Sequence, residues 1–185
     1  YSKIEEKIGI ILKKEAEKSM DNALQEEINK SNVNCSNSKL PTICAIGDAQ
    51  WSKRSYNQNY AANACCGCLI GSQSHKVMYL GVRNKSCYIC NNKINKQHTC
   101  YKNWNKSSSE MESSIICEGF QNIKKRGAKI SKFIADADAN TYPLLRITCD
   151  WEIQKLACAN HLARNIFLYV DNWRKGNKKV VKNYK

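Results

Sequence analysis

The chain has 185 residues, of which 42% are hydrophobic, and carries a formal net charge of +14 at neutral pH. This length and composition allow one domain with a buried core. No stretch approaches the roughly 20 apolar residues that a membrane span needs, and no signal peptide opens the sequence, so we expect no membrane partner.

The positive charge is unevenly distributed along the chain. Residues 1–30 carry six Lys and seven acids, for a net −1, whereas residues 31–170 carry 18 basic and eight acidic residues, for +10. Residues 171–185 add six basic residues and one acid, for +5. A basic middle and tail indicate a polyanionic partner, most simply nucleic acid. The alternative is a soluble Lys-rich surface that reflects only a compositional bias.

Two groups stand out among the 11 cysteines. Cys44, Cys65, Cys66 and Cys68 stand in apolar runs, where we expect small buried strand residues rather than disulfides. Other cysteines have the spacing of metal ligands and are considered below. The sequence also begins without Met inside a predicted helix, so we expect it to be a fragment of a longer protein.

The first half of the chain predicts one helix and three strands. Apolar residues recur at helical spacing over residues 3–30, and a polar segment follows. Residues 42–48 form a short apolar run that ends on an acid, which predicts a buried strand. Residues 60–70 and 75–82 flank the turn sequence GSQS and predict an antiparallel hairpin.

The second half predicts a helix, a strand and a further core helix. Residues 107–126 have a capping box at Ser107 and Glu110, and Gly127 can end that helix. Residues 129–138 predict a fourth strand, and residues 151–170 a core helix. This order of elements, three hairpin-connected strands followed by a helix and a strand, is the beginning of an RNase H-like α/β fold. We therefore expect a mixed sheet, flanking helices and a small Cys/His insertion.

Acidic side chains are predicted at the ends of two strands. Asp48 ends the first strand, and Asp136 and Asp138 end the fourth, which neighbours the first in an RNase H-like sheet. Carboxylates gathered in this way bind Mg²⁺ or Mn²⁺, and two such ions can cleave a phosphodiester. Turn or helix-cap aspartates are the alternative. Lys53 and Arg54 could contact phosphate or be solvated.

A Cys/His cluster occupies residues 85–105. Three thiols and one imidazole, in Cys87-x2-Cys90-x7-His98-x-Cys100, suit a tetrahedral structural Zn²⁺ site with no open position. The alternative is an unmetallated loop. A second pair, Cys158 and His161, lies one helical turn apart and could bind metal with further ligands, contact DNA or pack in the core.

Four segments resemble the catalytic domain of Mutator-like transposases and together span roughly residues 45–170. GDAQWSKRSYNQNYAA is similar to that family's DGSWQKRGxxSxxG, and NWNKSSSEME to NYxGSSGAME. KFIADADANTY is similar to KYIGDGDSxxY, and KLACANHLARN to KLECVGHVQKR. The family also carries a similar Cys/His set after its third strand. The match departs where GDGDS has become ADADA and DGSW has become DAQW, which removes glycines beside the acids.

The resemblance implies a nuclear DDE-type enzyme that cuts terminal inverted repeats and joins them to target DNA. It places the first catalytic acid on Asp48 and the second on Asp136 or Asp138, with Asp136 favoured. The family's third acid, a Glu after an inserted helical region, has no candidate here, so the fragment itself should not be a competent nuclease. Glu112 lies where RNase H enzymes carry a metal acid, and a solvated helix acid is the alternative.

These predictions divide the chain into three parts and leave three hypotheses for its function. Residues 1–34 are a helix and linker, residues 42–170 the catalytic domain, and residues 171–185 a basic tail or the start of an inserted region. The chain is a metal-dependent transposase with DNA and further copies of itself as partners, or an inactive or domesticated DNA-binding relative. The third hypothesis is a zinc-stabilised protein-interaction module.

Overall fold

The computed structural model describes residues 2–31, 40–52, 62–136 and 141–175. The described elements, in chain order, are α1 (Ser2–Lys30), β1 (Thr42–Trp51), β2 (Ala64–Gly71), β3 (Val77–Asn84), α2 (Tyr88–Asn91), α3 (Met111–Lys125), β4 (Lys129–Ala135), α4 (Thr141–Thr148), β5 (Gln154–Ala157) and α5 (Ala159–Arg174). A single 3₁₀ turn, Ser108–Glu110, precedes α3.

The five strands form one mixed sheet in the order β3-β2-β1-β4-β5. The first three strands are an antiparallel meander, and β4 and β5 run parallel to β1. This topology confirms the predicted hairpin and the predicted pairing of the first strand with the fourth. The RNase H-like mixed sheet with flanking helices is therefore the fold of the chain.

Helix α3 covers one face of the sheet, here called the inner face. Eight of its residues are buried, among them Ile115, Ile116 and Phe120. The helix approaches closely because Gly67 and Gly81 lie opposite each other in β2 and β3, beneath Ile115. A Cβ atom on either glycine would come within 3.0 Å or less of the Ile115 side chain. Glycine at these positions thus sets the distance between helix and sheet.

Both ends of this helical segment follow the signals in the sequence. The Ser107 side chain accepts a hydrogen bond from the Ser109 backbone N–H, which caps the 3₁₀ turn before α3. At the other end Gly127 adopts φ +96°, a left-handed conformation that ends the helix at little steric cost.

Only the second half of α1 contributes to the core. Ala23 and Leu24 are buried against the sheet, whereas Ile4, Ile8 and Leu12 are at least half exposed. The Asp21 carboxylate also pairs with Arg126 at the end of α3, at 2.7 Å. The helix predicted over residues 3–30 is thus confirmed, but its first half packs on none of the described residues.

The prediction of a core helix over residues 151–170 was wrong. Residues 154–157 form the edge strand β5, and α5, which begins only at residue 159, has no buried residue. The short helix α4 was not predicted at all. Apolar residues at helical spacing made the segment resemble a core helix, but the four-residue strand that precedes α5 extends the sheet instead.

The opposite, outer face of the sheet is not covered by any described helix. Leu80 and Val82 of β3 point to this face and are 48% and 47% exposed. The cysteine prediction was correct for Cys65, which is buried, and wrong for Cys44, Cys66 and Cys68, which are only partly buried. None of the described helices is long and apolar enough to cross a membrane.

Candidate metal sites

Asp48 lies inside β1 and not at its end, because the strand continues for three residues to Trp51. Strand residues alternate between faces, and Gly47 faces inward, where an added Cβ would come within 2.6 Å of the Phe133 ring. Asp48 therefore points to the outer face, opposite Cys68 of β2, and is exposed. Burial, and then the Asp48 charge, raise the pKa of the Cys68 thiol.

Asp136 directly follows β4, the strand that runs parallel to the strand of Asp48. The last parallel pair of β1 and β4 is Ile46 with Ile134. Asp48 and Asp136 each stand two residues beyond that pair, Asp48 within β1 and Asp136 directly after β4. Both acids therefore belong to the same end of two adjacent parallel strands, and their sharing of a hard cation stays a prediction.

A small cleft on the inner face holds two of the predicted acids. Glu112, in the first turn of α3, and Asp136 both line it, over a floor that includes Phe133. Tyr142 of α4 and Lys155 of β5 complete the side away from α3. Neither residue was given a role from the sequence, because α4 and β5 were not predicted. Both nevertheless match the family's segments, since Tyr142 ends KFIADADANTY and Lys155 begins KLACANHLARN.

Asp48, Glu112 and Asp136 do not form a compact ligand set in this structure. Among the described residues, the one group of three or more metal-ligating side chains whose atoms approach within 4.8 Å is the Cys/His cluster. The alternation of β1 explains this, since Asp48 and Glu112 lie on opposite faces of the sheet. The other predicted site residues, Asp138, Lys53 and Arg54, fall outside the described part of the chain.

The Cys/His cluster brings its four predicted ligands together. The Nε2 atom of His98 lies 3.4 Å from Cys87 Sγ and 3.5 Å from Cys90 Sγ, and the Cys90 and Cys100 sulfurs are 3.6 Å apart. A tetrahedral Zn²⁺ with bonds of about 2.3 Å to sulfur and about 2.0 Å to nitrogen requires ligand separations of about 3.5–3.8 Å. The four side chains therefore fit Zn²⁺.

Hydrogen bonds prepare individual ligands for a cation. His98 Nδ1 lies 3.0 Å from the Lys96 carbonyl, so Nδ1 donates there and leaves Nε2 as the metal-binding atom. Backbone hydrogen bonds, first from Cys90, lower the pKa of the Cys87 thiol to about 6. The adjacent thiols, first Cys100, raise the pKa of Cys90 to about 11. A bound cation would favour the thiolate form of these cysteines.

The cluster is tied to β3 and to the start of α3. Asn103 donates its side-chain amide to the Val82 carbonyl, and its Oδ1 accepts from the Asn84 N–H. Trp104 donates its indole N–H to the Ser107 carbonyl at 2.8 Å, immediately before the helical segment that carries Glu112. The cluster thus buttresses the N-terminal end of α3, which suits a structural role.

Cys158 and His161 are adjacent at the start of α5, where Cys158 is the N-cap residue. Hydrogen bonds from His161, first from its backbone, lower the pKa of the Cys158 thiol. No third metal-ligating side chain joins the pair among the described residues. Two ligands alone do not complete a zinc site, and His161 is exposed and thus not packed in the core.

Comparison with known proteins identifies the family. The RNase H1 crystal structure from the halophilic archaeon Halobacterium salinarum NRC-1 is 13% identical, covers 65% of this chain and 89% of its own, and superposes with a TM-score of 0.30. At that score the fold assignment rests on the sheet topology instead. No curated protein matches the chain. A model of the Mutator-like transposase family matches residues 1–185. Because this match spans the whole chain, the protein belongs to the Mutator-like transposase family.

Proposed function

We propose that the chain belongs to the catalytic core of a DDE-type DNA transposase that acts in the nucleus. The observation that supports this proposal is the parallel pairing of β1, which contains Asp48, with β4, which Asp136 directly follows, in a chain of the transposase family. In such an enzyme, the ends of the transposon are cut and the freed 3′-hydroxyls attack target DNA.

Asp48 and Asp136 supply carboxylate oxygens of the type that Mg²⁺ and Mn²⁺ prefer. Such ions, when bound, activate a water or a 3′-hydroxyl and stabilise the leaving oxygen of the phosphodiester. The protein holds the acids near the ends of two neighbouring strands, where their like charges repel each other until a cation binds. Glu112 shares a cleft with Asp136 and is the described acid placed to assist it. Asp138 follows two residues after Asp136 and is the alternative second acid.

The Cys87, Cys90, His98 and Cys100 cluster holds a structural Zn²⁺ in this proposal. All four positions of a tetrahedral ion would be filled by protein, which leaves no position for substrate. Its contribution is to fold the polar segment between β3 and α3, and thereby to fix the end of α3 next to the acid cleft.

The test is DNA cleavage by the protein expressed from its complete gene. Asp48→Ala and Asp136→Ala should each abolish Mg²⁺-dependent cleavage while leaving DNA binding intact. Asp150→Ala is the matched control, because Asp150 is an exposed acid that does not line the cleft and forms an ion pair with Lys124. Cleavage that survives in the Asp48 or Asp136 variant, at the rate of the control, would refute the assignment.

A second candidate function is DNA binding without catalysis. Two observations favour it: alanines replace the family's glycines beside Asp136, and the described acids do not form a compact ligand set. Such a protein binds DNA with an affinity that falls steeply with salt. It shows no Mg²⁺-dependent nicking even with all acids intact, which distinguishes it from the enzyme.

A further inference from the structure

We propose that Lys155 binds a DNA phosphate next to the acid cleft and positions the backbone for cleavage. This inference rests on the proposed function and adds a substrate contact that neither the sequence motifs nor the family match assigns. It follows from where β5 places the side chain, from what surrounds it, and from the groove that leads away from it.

The strand register points Lys155 towards the cleft. Lys155 pairs with Phe133 of β4, whose buried ring lies on the inner face, so both side chains project to the side that α3 covers. There Lys155 lines the same cleft as Glu112 and Asp136. Because β5 is the last strand of the sheet, Lys155 itself remains exposed and accessible from solution.

Tyr142 fixes the place of the lysine. Its hydroxyl donates a hydrogen bond of 2.6 Å to the Ile153 carbonyl, which holds the ring against the start of β5. The Lys155 ammonium lies 5.8 Å from the centre of that ring, within the range of a cation–π contact. This contact lies beside the cleft, so the positive charge stands at its mouth.

An open groove continues from this point along the edge of the sheet. Tyr142 and Lys155 line both the cleft and the groove, so the two are contiguous. The groove adds Lys132, the polar side chains of Ser131 and Gln154, and one acid, Glu152. The Lys155 ammonium lies where the acidic cleft meets the polar groove. There it can contact a phosphate of a DNA backbone that lies in the groove and enters the cleft. Lysine serves as a point charge for such phosphates.

The experiment measures the salt dependence of duplex DNA binding by the 185-residue chain, using fluorescence anisotropy over a series of KCl concentrations. Lys155→Gln should reduce the slope of log affinity against log salt by about 0.9, the contribution of one phosphate contact. Lys155→Arg should restore the slope, because it keeps the charge. Lys76→Gln is the matched control: it removes the same charge at the β2–β3 turn, where Lys76 pairs with Glu26.

An unchanged slope in Lys155→Gln, or an equal reduction in Lys76→Gln, overturns the proposal, as does a wild-type chain that does not bind DNA. Thermal unfolding of each variant shows whether the fold is intact. The outcome is separable from that of the proposed function. Cleavage that survives without Asp48 or Asp136 refutes the catalytic assignment and leaves a Lys155 effect on the slope standing. A missing Lys155 effect leaves the catalytic assignment standing.

Discussion

Replacing Glu27 with Ala should destabilise the fold by about 2–4 kcal/mol, because this buried carboxylate accepts hydrogen bonds from backbone N–H groups of the turn between β2 and β3. Glu27 has no exposed surface. It accepts hydrogen bonds from the backbone N–H groups of Gln73 and Ser74, the latter at 2.7 Å, and lies 3.5 Å from the Ser72 hydroxyl. The contact ties the second half of α1 to the sheet.

The magnitude follows from the groups left behind. A donor that loses its partner while buried costs about 1–3 kcal/mol, and the substitution leaves two backbone donors without their acceptor. Ser74 is buried, but Gln73 is exposed and water can reach its N–H, so the expected loss lies in the lower part of the summed range. In a chain of this size each kcal/mol shifts the melting temperature by about 2–4 °C. The expected fall is therefore roughly 4–16 °C.

The assay is thermal and urea unfolding followed by circular dichroism, with Glu26→Ala as the matched control. Glu26 is the neighbouring residue on the same helix and pairs with Lys30 and Lys76 at the surface. Exposed ion pairs stabilise proteins only weakly, so this variant should unfold close to the wild type. If Glu27→Ala and Glu26→Ala unfold at the same temperature, the turn does not depend on the carboxylate and the reasoning is wrong.

Three further predictions concern the metal cluster and the core. The chain should bind one Zn²⁺ per molecule, measured by elemental analysis, and Cys90→Ser should lose it and unfold at lower urea. In the zinc-free chain Cys87, with its pKa of about 6, should be mostly thiolate at pH 7, so iodoacetamide should alkylate it before the other cysteines. Added Zn²⁺ should protect Cys87 from alkylation, and its reactivity should be lost below pH 6. Gly47→Ala should destabilise the fold by about 1–3 kcal/mol, because the new methyl group collides with the Phe133 ring. Gly9→Ala has no atom near the new methyl group and should stabilise α1 slightly. Urea unfolding of the two variants measures both effects.

The parts of the fold that the sequence predicted well are those with local signals. The antiparallel hairpin was visible from two apolar runs around a turn, and α3 from the Ser107 cap and Gly127. The four cluster ligands were visible because metal-ligand spacing is itself local. The helix α4 and strand β5 were missed, since eight and four residues are too short for a periodic pattern, and their positions depend on the sheet they join.

The buried role of Glu27 also left no trace in the sequence. Within α1 it is one acid among seven in a charged helix, and nothing separates it from Glu26 beside it. The difference arises only when the helix docks against the sheet and one of the two carboxylates meets the turn at Gln73 and Ser74. Tertiary contacts of this kind cannot be read from spacing.

The same limit applies to the acids, because the face of the sheet on which an acid lies changes with a single residue along the strand. The sequence placed Asp48 on the first strand but not on a face of it, and the strand's alternation turns it away from Glu112. Asp136, just past the end of the adjacent strand β4, lines the cleft of Glu112 instead. Asp48→Ala and Asp136→Ala should therefore each abolish metal-dependent cleavage, and Glu112→Gln tests separately whether the acid that shares the cleft with Asp136 assists the reaction.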